Sequence, residues 1–105
     1  MSLMRRNLPQ KNSTQWKVRY SNRARKELSK LDKPIRDRVR EFVRRLSLLP
    51  DPRLIGKALS GTLNDYWSYR TGDYRIICYI HDKILEIEIV GIGHRSEIYK
   101  KDFEI

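Results

Sequence analysis

The spacing of apolar positions changes period along the chain, and each change marks an element. Trp16-Lys17-Val18-Arg19-Tyr20 alternates apolar and charged residues, the period of a half-buried strand. The period then lengthens. Ala24, Leu28 and Leu31 recur at i, i+4 and i+7, which puts one apolar stripe on a helix. Ser21 or Asn22 offers the side-chain oxygen that caps its first turn. Asp32-Lys33-Pro34 interrupts the stripe, and Pro34 suits the first turn of a second helix, where its missing N–H costs nothing. On that helix Ile35, Val39, Phe42, Val43 and Leu46 share a face, and Arg36, Arg38, Arg40, Arg44 and Arg45 fill much of the remaining surface. Two antiparallel helices joined by a short turn are expected.

Pro50-Asp51-Pro52 ends the helical pattern, and a loop containing Gly56 and Gly61 runs to about Asn64. Strands are predicted at Tyr66 to Arg70, Tyr74 to Ile80 and Ile84 to Val90, with turns at Thr71-Gly72-Asp73 and His81-Asp82-Lys83. Short turns between consecutive strands make an antiparallel meander. Tyr74, Ile76, Cys78 and Ile80 line one face, joined by Leu85, Ile87 and Ile89. That face covers the helices. Arg75, Ile77 and Tyr79, with Glu86 and Glu88, point to the other face, open to solvent or a ligand. The expected fold is α+β: an N-terminal strand and a two-helix antiparallel hairpin packed on an antiparallel β-meander, all within a single domain over residues 16–105. Residues 1–15 are polar and aperiodic, and read as a flexible basic arm. Met1-Ser2-Leu3, ahead of Met4, is set aside from the fold as an expression scar.

Charge sharpens this picture through its distribution. Residues 1–45 carry 15 Lys and Arg against four acids, a net of +11, while residues 46–105 carry 8 against 9, a net of −1. The first half is therefore the half that faces a polyanion. No stretch approaches the roughly 18 apolar residues of a membrane span. A single cysteine, Cys78, cannot close an internal disulfide, so a reducing, cytoplasmic setting is expected.

The chain has no His/Cys cluster with metal spacing, no glycine-rich phosphate loop and no Gly-x-Ser-x-Gly elbow, so neither a metal nor a cofactor is expected. What remains is cationic. Gly72-Asp73-Tyr74-Arg75 places Arg75 early on its strand, on the face away from the helices, and Gly93-His94-Arg95 ends the last strand ahead of Tyr99. Adjacent strands are expected to bring Arg75 and the His94, Arg95 and Tyr99 segment onto one sheet face. Arginine donates a planar fork to phosphate, histidine titrates near neutrality, and tyrosine can stack on a base and hydrogen-bond. Together they point to a phosphate-handling site.

Leu59-x-Gly61, then Tyr66-Trp67-x-x-Arg70-x-Gly72-Asp73-Tyr74-Arg75-Ile76-Ile77-x-Tyr79, then Gly93-His94-Arg95-x-x-Ile98-Tyr99, resembles the RelE/ParE toxin superfamily over about residues 16–101. The resemblance implies a bacterial toxin of a type II toxin–antitoxin system, partnered by an acidic antitoxin. RelE-like members enter the ribosomal A site and cut mRNA; ParE-like members inhibit DNA gyrase with the same fold. Carried over by position, Arg75 matches the strand arginine at the scissile phosphate, Arg95 with His94 matches the basic end of the last strand, and Tyr99 matches the tyrosine of the C-terminal segment.

Two readings follow. In the first, the chain is a ribosome-dependent endoribonuclease. The RNA 2′-hydroxyl is the nucleophile, Arg75 and Arg95 stabilise phosphate charge, and His94 or Tyr99 moves protons. Arg36, Arg40, Arg44 and Arg45, with Lys57 and Arg70, grip RNA phosphates. In the second, the fold is a non-enzymatic gyrase inhibitor. The stretch Tyr66-Trp67-Ser68-Tyr69 places Trp67 and Tyr69 where ribonuclease members carry lysines, which favours the second reading. His94, Arg95 and Tyr99 together favour the first.

Overall fold

A five-stranded mixed sheet organises the molecule, in the order β1-β5-β4-β3-β2. Its strands are β1 (Lys17–Tyr20), β2 (Lys57–Ala58), β3 (Tyr66–Thr71), β4 (Tyr74–His81) and β5 (Glu86–His94). Helices α1 (Asn22–Ser29) and α2 (Lys33–Leu46) lie between β1 and β2 in the chain. The computed structural model describes residues 15–60 and 65–100. The basic arm expected over residues 1–15 falls outside these apart from Gln15, as do residues 61–64 of the expected loop and residues 101–105.

The local signals produce the local structure. Ser21 caps α1, its hydroxyl accepting from the Ala24 N–H at 3.0 Å. Pro34 lies in the first turn of α2. Ala24 and Leu28 from α1, and Val39, Val43 and Leu46 from α2, pack with Tyr69, Ile76, Cys78, Ile80, Ile87, Ile89 and Ile92 in one apolar cluster. Trp16 ties β1 to the end of α2: its backbone N–H donates to the Ser47 carbonyl at 2.9 Å and its indole to the Pro50 carbonyl at 3.2 Å.

The α+β architecture is as expected, but the sheet is more than a meander. β1 pairs with β5 in parallel, Val18 beside Ile87 and Tyr20 beside Ile89. A parallel pair needs a long crossover, and here the helices are part of one. Lys57 and Ala58, expected in a loop, pair antiparallel with Ser68 and Trp67. Leu85, expected in the core, sits in the turn at φ 50° and is 39% exposed, because the Asp82–Ile84 3-10 turn closes through it. β5 therefore starts at Glu86, and it runs beyond Val90 to His94.

That extension carries an irregularity. Ile77 pairs with Gly91 and Cys78 with Ile89, so Val90 has no opposite residue and forms a β-bulge. Val90 keeps to the outer face of the sheet, where Tyr66, Ile77, Val90 and Ile98 form a second apolar cluster, and the bulge reverses the faces of the residues after it. The face expected to be open is thus closed at its centre: Ile77 and Ile98 are both 0% exposed. Burial of a side chain such as Ile98 contributes about 1.5–3 kcal/mol. Beyond the cluster, Glu88 is buried beneath Arg19 at 3.2 Å and His81 at 2.9 Å.

Candidate nucleic-acid site

One end of the outer face stays open as a cleft of about 600 Å³. Its wall includes Lys57, Ser68, Arg70, Arg75 and Tyr99, with Phe42 and Ile55 as apolar neighbours. Register explains the gathering. Lys57 stands opposite Ser68, and Arg70 stands opposite Arg75. Like charges directly opposite on a sheet repel, and among the described residues no carboxylate side chain lines the cleft to relieve them. Such an arrangement suits an anion that binds all three cations at once.

Two of these cations, Lys57 and Arg75, are positioned by structure behind them. Lys57 follows a loop anchored on Tyr69, which points inward and donates its hydroxyl to the Pro52 carbonyl at 2.8 Å. Burial holds that hydroxyl far above its ordinary pKa, so it stays a donor. Gly56 lies flat on the same ring, and a Cβ there would come within 2.8 Å of it. Arg53 secures the loop from outside, pairing with Asp82 at 2.6 Å. Arg75 donates from Nη1 to the carbonyls of Gly72 at 3.1 Å and Tyr74 at 3.0 Å. Carbonyls orient the guanidinium without neutralising it, and its other donors remain for a ligand. Gly72 permits this turn at φ 61°.

Tyr99 arrives by the fold-back after β5. Ile98 sits over Gly93, where a Cβ would lie 3.1 Å from the Ile98 Cδ1. The next residue then places its hydroxyl 2.7 Å from the Ser68 hydroxyl. Tyr99 remains 47% exposed, so its ring is available to a ligand.

The residues expected to form the site divide into groups. Arg75, Tyr99, Lys57 and Arg70 meet in the cleft. His94 does not join them. It pairs across the strands with Tyr74, the rings 5.5 Å apart edge to face, and lines a groove that α1 also lines. Arg95 is exposed at the β3–β4 turn: its N–H donates to the Asp73 carbonyl at 2.8 Å and its Nε lies 3.8 Å from the Asp73 carboxylate. The α2 arginines are elsewhere. Arg36 bonds the Leu31 carbonyl at 3.0 Å, and Arg40 and Arg44 border a groove beside β1. Arg44 and Arg45 pair with Glu41, whose carboxyl the Arg44 guanidinium holds below its usual range.

Trp67 and Tyr69 pack with the main core on the helical side, so they do not occupy the cleft; Ser68 and Arg70 do. Sequence reading passed over Ser68, Phe42 and Ile55. Strict alternation from Arg70 would have exposed Ser68, whereas nothing local marks Phe42 or Ile55 as cleft residues.

The comparisons with known proteins agree with this architecture. A sequence profile for the ParE toxin of the type II toxin–antitoxin system parDE matches residues 18–99. Toxin RelG of Mycobacterium tuberculosis is 34% identical over 84 residues, which cover 80% of this chain and 95% of that protein. The crystal structure of the toxin–antitoxin complex RelBE2 from Mycobacterium tuberculosis superposes with a TM-score of 0.72 at 33% identity, over 80% of this chain and 95% of that one. The archaeal RelE–RelB complex from Pyrococcus horikoshii superposes at 0.62 with 28% identity, over 79% and 98% of the two chains. With its profile from one branch and its relatives from the other, the chain belongs to the RelE/ParE superfamily as a toxin of a type II toxin–antitoxin system.

Proposed function

We propose that this toxin is a ribosome-dependent endoribonuclease acting in the cytoplasm on mRNA, with the cleft between β2, β3, β4 and Tyr99 as its active site. The observation that carries this reading is the facing pair Arg70 and Arg75, with Lys57 beside them and no carboxylate among the described residues of the cleft. RNA supplies its own nucleophile, so the protein has to align the 2′-hydroxyl, neutralise the phosphate and move protons. Arg75 is held ready to bind a non-bridging phosphate oxygen, and Arg70 and Lys57 add charge around it. Tyr99 is the group in the cleft suited to stack on a base or to exchange a proton through its hydroxyl. His94 is on the opposite face, so Tyr99 takes the proton-moving role that sequence reading divided between the two. Arg95 acts at the rim, beside the β3–β4 turn. The partner in the cell is an acidic antitoxin that covers this basic surface, in keeping with the complexes formed by the structural relatives.

One observation favours the gyrase-binding alternative. Opposite Arg75, β5 presents Gly93, so this strand adds no side chain there. Purified toxin added separately to mRNA-programmed ribosomes and to gyrase decides between them. Cut mRNA with untouched gyrase supports the ribonuclease; intact mRNA with inhibited gyrase overturns it.

A further inference from the structure

The cleft leaves His94 and Arg95 of the sequence motif outside it, and His94 lines a groove of its own. It has a volume of about 630 Å³ and lies between α1 and the neighbouring ends of β4 and β5. Arg23 and Lys26 line it from α1, Lys30 from that helix's C-cap, and Tyr74 and His94 from the sheet. Lys26, in the last turn of α1, and Lys30, the residue that caps its C-terminus, are four residues apart, a like-charge spacing that destabilises a helix end slightly. Among the described residues neither forms an ion pair. The acids nearby do not cancel them. Glu27 is committed to the fold: it accepts the Ile92 N–H at 2.8 Å and lies 3.5 Å from Arg23. Glu97 is left as the other carboxylate on the lining.

The ring of His94 is itself oriented. Its Nδ1 accepts the Ser96 N–H at 3.1 Å and contacts the Ser96 hydroxyl at 2.9 Å. Acceptance at Nδ1 leaves Nε2–H as the ring's donor. An aromatic pair beside unpaired lysines has the composition of a single-stranded RNA contact, in which cations follow the backbone and rings meet bases.

Geometry links this groove to the cleft. Tyr74 and Arg75 are consecutive on β4, so their side chains leave opposite faces of the same strand. Between the two faces stands the tip of the β3–β4 turn, and it too is basic. Arg38 reaches to 3.3 Å from the position of a Gly72 Cβ, and Arg95 lies against Asp73. Cations therefore continue from Arg70 and Arg75, over the tip at Arg38 and Arg95, to Lys26 and Lys30, with the His94 ring beside them.

We propose that the groove formed by Lys26, Lys30, Tyr74 and His94 is a second binding site for RNA, taking the backbone of a single strand that continues over the β3–β4 turn from the cleft. This rests on the reading of the cleft as an RNA site. The two sites are separable because each has its own residues and its own reporter.

The test is titration of the full-length protein with a short fluorescein-labelled single-stranded RNA, followed by anisotropy at several salt concentrations and by NMR of the His94 ring. The proteins compared are wild type, Arg75→Ala and the double variant Lys26→Gln/Lys30→Gln, with folding of each checked by circular dichroism. Loss of two phosphate contacts lowers the slope of log affinity against log salt by about 1.4 for a single strand. The double variant is expected to show that decrease and to bind about tenfold more weakly, while the His94 signals still move with RNA in Arg75→Ala. If the double variant keeps the wild-type affinity and slope, the groove proposal is overturned while RNA binding by the cleft stands. If wild type binds no RNA, both fall. If a glutamate-rich peptide moves the His94 signals and RNA does not, the groove serves an acidic protein and the RNA assignment is wrong.

Discussion

The hydroxyls of Ser68 and Tyr99 lie 2.7 Å apart, joining the middle of β3 to a 3-10 turn thirty-one residues later. Ser68 is buried and Tyr99 is half exposed, so the bond ties the exposed side chain to a buried strand position. A hydrogen bond of this kind contributes about 1 kcal/mol net. Ser68→Ala is expected to lower the mRNA cleavage rate severalfold while leaving ribosome affinity nearly unchanged, and Ser68→Thr, which keeps a hydroxyl, is expected to recover much of the loss. Single-turnover cleavage with each variant checks this. A loss shared equally by Ala and Thr would remove the hydroxyl from the argument.

Arg75→Ala is expected to reduce single-turnover cleavage of ribosome-bound mRNA by at least about tenfold, each tenfold being about 1.4 kcal/mol of transition-state stabilisation. Affinity for the ribosome is expected to change far less, since many other surface cations share the phosphate contacts. The cut RNA is expected to end in a 2′,3′-cyclic phosphate. Equal losses in binding and cleavage would make Arg75 a docking residue rather than a catalytic one.

Gly56→Ala forces a methyl group within 2.8 Å of the Tyr69 ring. That ring is buried and bonded to Pro52, so the loop has to yield. Overpacking of this sort costs about 1–3 kcal/mol. The expected result is a melting temperature lower by about 4–8 °C for each kcal/mol. Weaker RNA binding is expected too, because Lys57 moves with the loop. A variant with wild-type melting and wild-type RNA affinity would show that the loop is looser than its contacts imply.

Burial pushes the Cys78 thiol well above its ordinary value. The unfolded chain releases this proton near pH 8.5, and the native protein keeps it. Below that range both states are protonated and the contribution to stability is constant; as pH rises through it, stability falls. Urea unfolding of wild type and Cys78→Ala between pH 7 and pH 10 measures the effect, and the variant is expected to show the shallower decline. A thiol reagent is expected to label the protein only as it unfolds. Rapid labelling of the native state would contradict the burial on which this rests.

Much of the fold was legible because helices and strands follow local periods. The stripe of Ile35, Val39, Val43 and Leu46 needs only the helical repeat to be seen, and the row Tyr74, Ile76, Cys78 and Ile80 only the alternation of a strand. The motif around Arg75 placed that residue correctly on the outer face for the same reason. Lys57 was misplaced in a loop because a two-residue strand is too short to display any period. The parallel pairing of β1 with β5 joins positions far apart in the chain, and no local pattern encodes it.

His94 marks the boundary between the two kinds of information. Counting alternate residues from Glu86 and Glu88 puts His94 on the outer face beside Arg75. The bulge at Val90 adds one residue to β5 and reverses the count, so Gly93 faces Arg75 and His94 faces α1. Local periodicity marked the helices and the longer strands, and composition marked the basic half and its cations. Which of those cations share a cleft follows from strand register, because a single unpaired residue changes the face of every side chain beyond it.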